Sequence, residues 1–150
     1  MAGVANRFVA IADNDTTGRD GLAKLTARQP SPACRMLHYP PSELLTAYPA
    51  VDLDTGLLTM TDVNGAAGAL EMYFGRDVLT RDDGELMPVH WRGLVSQLGR
   101  HQGALSPADK KAAQKRFRRK AAAAQAGNSA SDEDWDGIRA IIDAIFHAFD

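Results

Sequence analysis

A short apolar strand that ends in two aspartates constrains the fold of this chain more than any other feature. Residues 7–13 read RFVAIAD, an apolar run with β-branched side chains that stops at the triplet Asp13-Asn14-Asp15. Because β-branched runs favour strands and Asp and Asn favour turns, the segment predicts a short buried strand with carboxylates at its end.

A helix and a second strand are predicted directly after this turn. Residues 16–29 place Leu22 and Leu25 three positions apart and stop before a proline, as a short helix does. Residues 33–39, ACRMLHY, lie between prolines and predict another strand. Two strands joined by a helix favour parallel pairing, in which polar groups at the carboxyl ends of the strands line a ligand crevice.

The middle of the chain gives weaker patterns. Residues 40–61 are rich in Pro, Asp and Thr and predict a partly ordered connection. Residues 61–75, TDVNGAAGALEMYFG, begin with capping residues and end in glycine, which predicts a helix. Residues 84–99, GELMPVHWRGLVSQLG, predict an extended segment followed by a helix that carries Leu94, Val95 and Leu98.

A basic helix is predicted near the C-terminus. Ser106 precedes Pro107, Asp109 occupies the third helical position, and Gly127 offers a stop. Dense positive charge of this kind predicts either a polyanion-binding face or a solvated face attracted to the acidic residues 131–150. The predicted nucleic-acid-binding side chains are Lys110, Lys111, Lys115, Arg116, Arg118, Arg119 and Lys120.

A final amphipathic helix follows. Ser131 and Asp134 form a second capping signature. The apolar residues after it recur at helical spacing and predict a face that docks on the rest of the domain, or alternatively an interface with a partner. These residues are Trp135, Ile138, Ile142, Ile145 and Phe149.

The two aspartates at the strand end predict a cation site. Carboxylates one residue apart at a strand exit can reach the same ion. Oxygen ligands favour hard cations such as Mg²⁺ or Mn²⁺, whose coordination is usually completed by water and substrate phosphates. The alternative is that Asp13 and Asp15 only form a turn and cap the helix that begins near Thr16.

These residues resemble those of a known family. VAIADNDTTG, TDVNGAAGALEMYFGRDVL, MPVHWRGL and the HQG at 101–103 are similar to the Toprim portion of HEPN/Toprim-associated bacterial proteins, a group linked to phage defence. The resemblance covers much of residues 8–120. Toprim domains bind Mg²⁺ through an Asp-x-Asp pair at a strand end, matched here by Asp13 and Asp15. It therefore implies a metal-dependent nuclease in an antiviral defence or toxin-like system.

One departure from the family concerns the catalytic acid. Toprim domains begin with a strand followed by a glutamate, and no Glu precedes Asp13 in this chain. The resemblance then implies that an upstream segment or protein partner supplies that strand, or that the site is completed differently. We expect Glu71 as the substitute catalytic acid and Asp62 as the further metal ligand, with Glu71 as a surface or capping residue in the alternative.

Two other functions remain open on the same residues. A degenerate Toprim module would bind nucleic acid or a protein partner without cleavage. The pattern Asp13-x-Asp15-x-Thr17 also resembles haloacid-dehalogenase-like phosphatases, in which the first Asp is the nucleophile and the second a general acid.

Composition is consistent with a folded intracellular protein. The chain has 150 residues, 45% of them hydrophobic, and its one cysteine, Cys34, has no disulfide partner within the chain. No secretory signal or membrane-spanning segment is predicted, which favours the cytoplasm. We expect a Toprim-like α/β fold with a small, mainly parallel sheet and flanking helices over residues 1–105. A helical region over residues 106–150 is expected to pack with it as one domain.

Overall fold

The computed structural model describes residues 6–95, 99–130 and 133–150. Within these ranges the chain is a mixed α/β protein with small sheets and several helices. The strands are β1 (Phe8–Ala12), β2 (Asn14–Asp15), β3 (Cys34–His38), β4 (Tyr48–Val51), β5 (Leu58–Thr61), β6 (Ala67–Gly68), β7 (Val89–Val95) and β8 (Arg100–Leu105). The helices are α1 (Thr16–Thr26), α2 (Arg76–Leu79), α3 (Pro107–Gln125) and α4 (Asp136–Phe146). Among the described helices, none combines the length and the apolar character that a membrane crossing requires.

The first unit of the fold is β1-α1-β3. β1 and β3 pair in parallel, with Phe8 opposite Cys34 and Ala12 opposite His38. The predicted strand, helix and strand are therefore confirmed. The prediction that β1 is buried is wrong, because Phe8 and Ala10 are exposed and the other residues of the strand are only half-buried.

The second unit is a four-stranded sheet in the order β5-β4-β7-β8. β4 pairs with β7 in parallel, whereas the β4–β5 and β7–β8 pairs are antiparallel. A short antiparallel pair, β2–β6, joins the two units. A mainly parallel sheet is therefore not confirmed, since three of the five strand pairs in the described residues are antiparallel.

The prediction of a partly ordered connection over residues 40–61 is wrong. This segment contains the β4–β5 hairpin, in which Ala50 pairs with Thr59. Asp52 closes the turn, because its carboxylate accepts hydrogen bonds from the backbone N–H and the hydroxyl of Thr55, each at 2.8 Å. Asp and Thr that had indicated loop structure thus serve a hairpin turn.

The predicted helix over residues 61–75 is also wrong. The segment forms a turn, strand β6 and a 3₁₀ turn at Leu70–Tyr73. Gly65 adopts a φ of +75°, which interrupts helical geometry. Gly68 lies so close to Asn14 that an added Cβ would meet the Asn14 carbonyl oxygen at 2.4 Å. Close pairing with β2 therefore overrides the local helical pattern.

The helix predicted after the extended part of residues 84–99 is replaced by strand β7, which contains Leu94 and Val95. Leu98 lies outside the described residues. Along the first residues of β7, apolar Val89 and Trp91 alternate with polar neighbours, and this period of two is the pattern of a half-buried strand.

The predicted start and stop of the basic helix are confirmed. Ser106 caps α3, because its hydroxyl oxygen accepts a hydrogen bond from the Asp109 backbone N–H at 3.1 Å. Gly127 follows the helix with a φ of +73°, a conformation that glycine adopts readily.

Helix α4 docks on the fold through only part of its apolar face. Ile141 is buried and Ile138 packs beside the core, whereas Ile142 and Ile145 from the predicted stripe remain exposed. The capping residue Ser131 lies outside the described residues. The docking prediction is therefore confirmed for Ile138 and wrong for Ile142 and Ile145.

The core lies between the four-stranded sheet and the helices that follow it. Tyr48, Leu79 and Val89 are fully buried there. Phe117 of α3 stacks on Phe74 with ring centroids 4.1 Å apart. The C-terminal helices thus share a core with the preceding region.

Candidate acidic site

The aspartates lie where β1 passes into α1. Asp15 caps α1, because one of its carboxylate oxygens accepts the Gly18 N–H at 2.6 Å. Its other oxygen accepts the side-chain amide of Gln102 from β8 at 2.7 Å. Gly18 is required here, since an added Cβ would lie 2.3 Å from the Asp13 carbonyl oxygen. Asp15 therefore caps α1, and each of its two carboxylate oxygens accepts a hydrogen bond, while its role as a metal ligand stays a prediction.

Asp13 is half-buried beside two other carboxylates. Its pKa is raised above the ordinary 3.8, chiefly because burial penalises the charged form and then because Asp15 and Glu71 are negatively charged. Lys110 and the hydroxyl of Tyr39 oppose this shift by favouring the ionised form. The pKa of Asp13 therefore depends on the charges of Asp15, Glu71 and Lys110.

Glu71 enters the site from the 3₁₀ turn. Its exposed fraction is 7%, so the alternative that it is a surface residue is wrong. Its Oε1 atom accepts a hydrogen bond from Gln114 Nε2 at 2.7 Å and lies 3.5 Å from Lys110 Nζ. Asp13, Asp15 and Glu71 are called the acidic site below.

A buried polar network positions the acidic site from beneath. Asn14 donates a hydrogen bond from Nδ2 to the Tyr73 hydroxyl at 3.2 Å, and that hydroxyl donates to the Pro40 carbonyl at 2.7 Å. Arg19 donates from Nε to Asn14 Oδ1 at 2.9 Å. The network ties the end of β1 to the turn that carries Glu71. Sequence analysis missed it, although Asn14 stands between the two aspartates.

Asp62, predicted as a metal ligand, lies apart from the acidic site. It is exposed, and its carboxylate accepts the backbone N–H of Asn64 at 2.9 Å and the Asn64 side-chain amide at 3.0 Å. Asp15 and Glu71 raise the pKa of Asp13, and Asp62 is not among the groups that shift it. Asp62 therefore forms a turn, and the sequence prediction for it is corrected.

The fit of a divalent cation to these residues is limited. In the part of the chain that the structure describes, no three His, Cys, Asp or Glu side chains converge closely enough to hold a metal ion. Mg²⁺, however, usually takes only one or two protein carboxylates and fills its remaining positions with water and phosphate oxygens. Asp13 and Glu71 could supply those carboxylates, whereas both oxygens of Asp15 already accept hydrogen bonds from Gly18 and Gln102.

Two of the predicted nucleic-acid-binding residues have structural contacts instead. Lys120 is 6% exposed and donates hydrogen bonds to the Phe74 carbonyl at 3.1 Å and to Asp77 at 2.9 Å. Arg116 donates to the Thr80 carbonyl and to Asp82. The prediction is corrected for Lys120, which is buried inside the fold, and Arg116 is held in contacts with the protein.

The other basic residues of α3 divide into two groups. Lys110 faces Glu71 across the 3.5 Å contact. Four basic side chains are exposed and share one side of the helix, because the last three follow the first by four, seven and eight residues. This basic face consists of Lys111, Lys115, Arg118 and Arg119.

The chain matches no protein-family model, and no significant match is found among curated proteins or solved structures. The resemblance to Toprim proteins therefore stays a prediction.

Proposed function

We propose that this protein performs divalent-metal-dependent phosphodiester chemistry on nucleic acid, as a Toprim-type nuclease of a bacterial defence or toxin-like system in the cytoplasm. The observation that carries the proposal is the contact of Glu71 with α3. Through Gln114 and Lys110, that contact sets the acidic site against the helix that bears the basic face.

The acidic site would hold Mg²⁺ or Mn²⁺ mainly through Asp13 and Glu71. When bound, such a cation supplies positive charge for the phosphate oxygens and favours ionisation of a bound water. The protein's own part is to keep carboxylates together although they repel each other, which the Asn14 network and the Gln114 hydrogen bond achieve. Lys110 adds a cation at the edge of the same site.

The basic face would hold the nucleic-acid backbone. Lys111 and Arg118 lie three residues before and four residues after Gln114, so both are neighbours of the side chain that bonds Glu71. From Lys111 to Arg119 the face extends about 12 Å along the helix. A backbone on this face would run past the acidic site, held by charge without readout of base sequence.

A Toprim-like topology is part of the proposal. The parallel β1–β3 pair, with Asp13 directly after β1, supports it. Among the described strands β1 pairs only with β3, and in this proposal a strand from an upstream segment or a protein partner pairs with its other edge. That strand would supply the family glutamate that is missing before Asp13.

Cleavage of labelled DNA and RNA in Mn²⁺ and Mg²⁺ tests this function. We expect metal-dependent products that are lost in Asp13→Asn and Glu71→Gln. Glu85→Gln, which changes an exposed glutamate in a surface turn, is the matched control and should cleave normally. Cleavage that persists in Glu71→Gln would remove this residue from the mechanism.

A binding module without catalysis is the second candidate. It is favoured by the engaged carboxylate of Asp15 and by the lack of three converging metal-type ligands in the described residues. This candidate predicts salt-dependent binding to nucleic acid with no cleavage in either metal.

The phosphatase alternative needs Asp15 as a general acid, and this carboxylate is occupied by Gly18 and Gln102. Lys110 near Asp13 is the one feature in its favour. Hydrolysis of a small fluorogenic phosphate that is inhibited by beryllium fluoride would select it over the nuclease.

A further inference from the structure

Residues 101–103 of β8 read His-Gln-Gly and lie against the first turn of α1. The Thr16 hydroxyl donates a hydrogen bond to the His101 carbonyl, which ties the helix to the strand. An added Cβ on Gly103 would lie 2.9 Å from the Cβ atom of Ala67, so glycine lets β8 approach β6 closely. These contacts place the middle residue of the three beside the acidic site.

The side-chain amide of that residue, Gln102, is held at both of its polar atoms. Its Nε2 atom donates a hydrogen bond to Asp15 Oδ2 at 2.7 Å. Its Oε1 atom accepts the backbone N–H of Thr17 at 3.1 Å and the Thr17 hydroxyl at 3.3 Å. The reversed amide would set its oxygen against the carboxylate and its NH₂ group against the Thr17 N–H, so only one orientation satisfies all the partners.

The Asp15 carboxylate is therefore fixed in direction by two donors from different elements. The Gly18 N–H of α1 binds Oδ1 at 2.6 Å, and Gln102 of β8 binds Oδ2. Each oxygen of an ionised carboxylate has two lone pairs, so one hydrogen bond on each leaves a further acceptor position on both. Carboxylates that bind metal ions in proteins are themselves hydrogen-bonded in this way, which orients them.

We propose that Gln102 is a positioning residue of the acidic site, which holds the Asp15 carboxylate in the orientation that binds the cation. The inference rests on the proposed function, because that function supplies the cation. A carboxylate that is already held in one orientation loses less side-chain freedom when it binds a metal ion. Loss of an orienting partner of this kind typically lowers metal affinity about 10- to 100-fold.

A purely structural role is the competing explanation, because the contacts of Gln102 also dock β8 on α1. Thr16 offers the matched control, since its hydroxyl joins the same strand to the same helix but binds a backbone carbonyl instead of a carboxylate. Gln102→Met keeps the length of the side chain and removes both polar atoms, and Thr16→Val keeps the shape and removes the hydroxyl. Both variants should lose some stability, whereas only Gln102→Met should lose metal affinity.

Calorimetric titration with Mn²⁺ measures the affinity of the wild type and of both variants, after circular dichroism has shown that the variants are folded. We expect Gln102→Met to bind Mn²⁺ about 10- to 100-fold more weakly than the wild type, and Thr16→Val to bind it as the wild type does. Unchanged affinity in Gln102→Met would overturn the inference. An equal loss of affinity in Thr16→Val would also overturn it, because docking of the strand would then be the cause.

A measurement without metal separates this inference from the proposed function. Three-bond NMR couplings report the χ1 rotamer of Asp15, and we expect one rotamer in the wild type and averaging between rotamers in Gln102→Met. A single unchanged rotamer in the variant would overturn the positioning role whatever the metal does. If no protein gave heat with Mn²⁺ while the couplings changed as expected, the proposed function would fail and Gln102 would still be shown to hold Asp15.

Discussion

Gln114 Nε2 lies 2.7 Å from Glu71 Oε1, so a helix bearing exposed positive charge is fixed to a buried carboxylate. The contact joins residues that are 43 positions apart in the sequence. It explains why acidic and basic groups, which are separate features of the sequence, become neighbours in the fold. The predictions below test this arrangement and the contacts that maintain it.

Asp13 makes the stability depend on pH in a defined direction. Because its pKa is raised in the folded state, the folded protein binds this proton more tightly than the unfolded chain, whose Asp has the ordinary pKa of 3.8. The free energy of unfolding should therefore fall as pH rises above about 4, and this loss should persist at neutral pH.

Denaturant unfolding of the wild type and of Asp13→Asn at several pH values measures this loss of free energy. We expect the variant to be the more stable protein at pH 7, with the difference shrinking as pH falls through the folded pKa towards about 4. Mg²⁺ should raise the melting temperature of the wild type and leave that of the variant unchanged. A variant less stable than the wild type at pH 7 would contradict the assigned repulsion.

Two glycines of α1 should respond oppositely to alanine. Gly18→Ala places a methyl group against the Asp13 carbonyl oxygen and should destabilise the fold by about 1–3 kcal/mol. An added Cβ at Gly21 meets nothing within 4 Å, so Gly21→Ala should stabilise by about 0.5–1 kcal/mol through helix propensity. Urea unfolding measures the change in stability for each variant. Equal changes at both positions would argue against the close approach of Gly18 to the Asp13 carbonyl oxygen.

Lys120 should be required for stability. Lys120→Met removes the ammonium from the buried Phe74 carbonyl, which is left unsatisfied, and from Asp77, and should cost about 1–3 kcal/mol. Lys115→Met changes an exposed position on the same helix and should alter stability by less than about 0.5 kcal/mol. Similar unfolding midpoints for the two variants would contradict the buried position of Lys120.

Nucleic-acid affinity should depend on the basic face and on salt. For duplex DNA, each lost phosphate contact lowers the magnitude of the slope of log K against log salt by about 0.9. Lys115→Gln and Arg118→Gln should reduce the slope, whereas Arg28→Gln, at an exposed arginine beyond α1, should not. Fluorescence anisotropy titrations at low and moderate salt measure the affinity and therefore the slope. Affinity that is independent of salt would make the basic face a solvated surface only.

Local signals account for the parts of the fold that sequence analysis predicted. The β1 run, its Asp-rich turn and the cap at Ser106 each act within a few residues, so neighbouring side chains decide the structure. The resemblance predicts Glu71 in the site, and the charge of Glu71 is one of the causes that raise the pKa of Asp13.

Long-range contacts account for the errors. The run around Gly68 has a helical pattern, but pairing with Asn14 determines its conformation. Lys120 belongs to a charged run, and its burial follows from carbonyl groups of distant segments that no local pattern reveals. Asp62 caps a turn for a similar reason, since Asn64 also binds the backbone of Ser42.

Calorimetric titration with Mn²⁺ tests the central claim, that the acidic site holds a divalent cation, most directly. Wild type and Asp62→Asn should bind the ion equally, because Asp62 lies outside the site, while Asp13→Asn and Glu71→Gln should lose the binding heat. A wild type that gives no heat, or a Glu71→Gln variant that binds as the wild type does, would contradict the account.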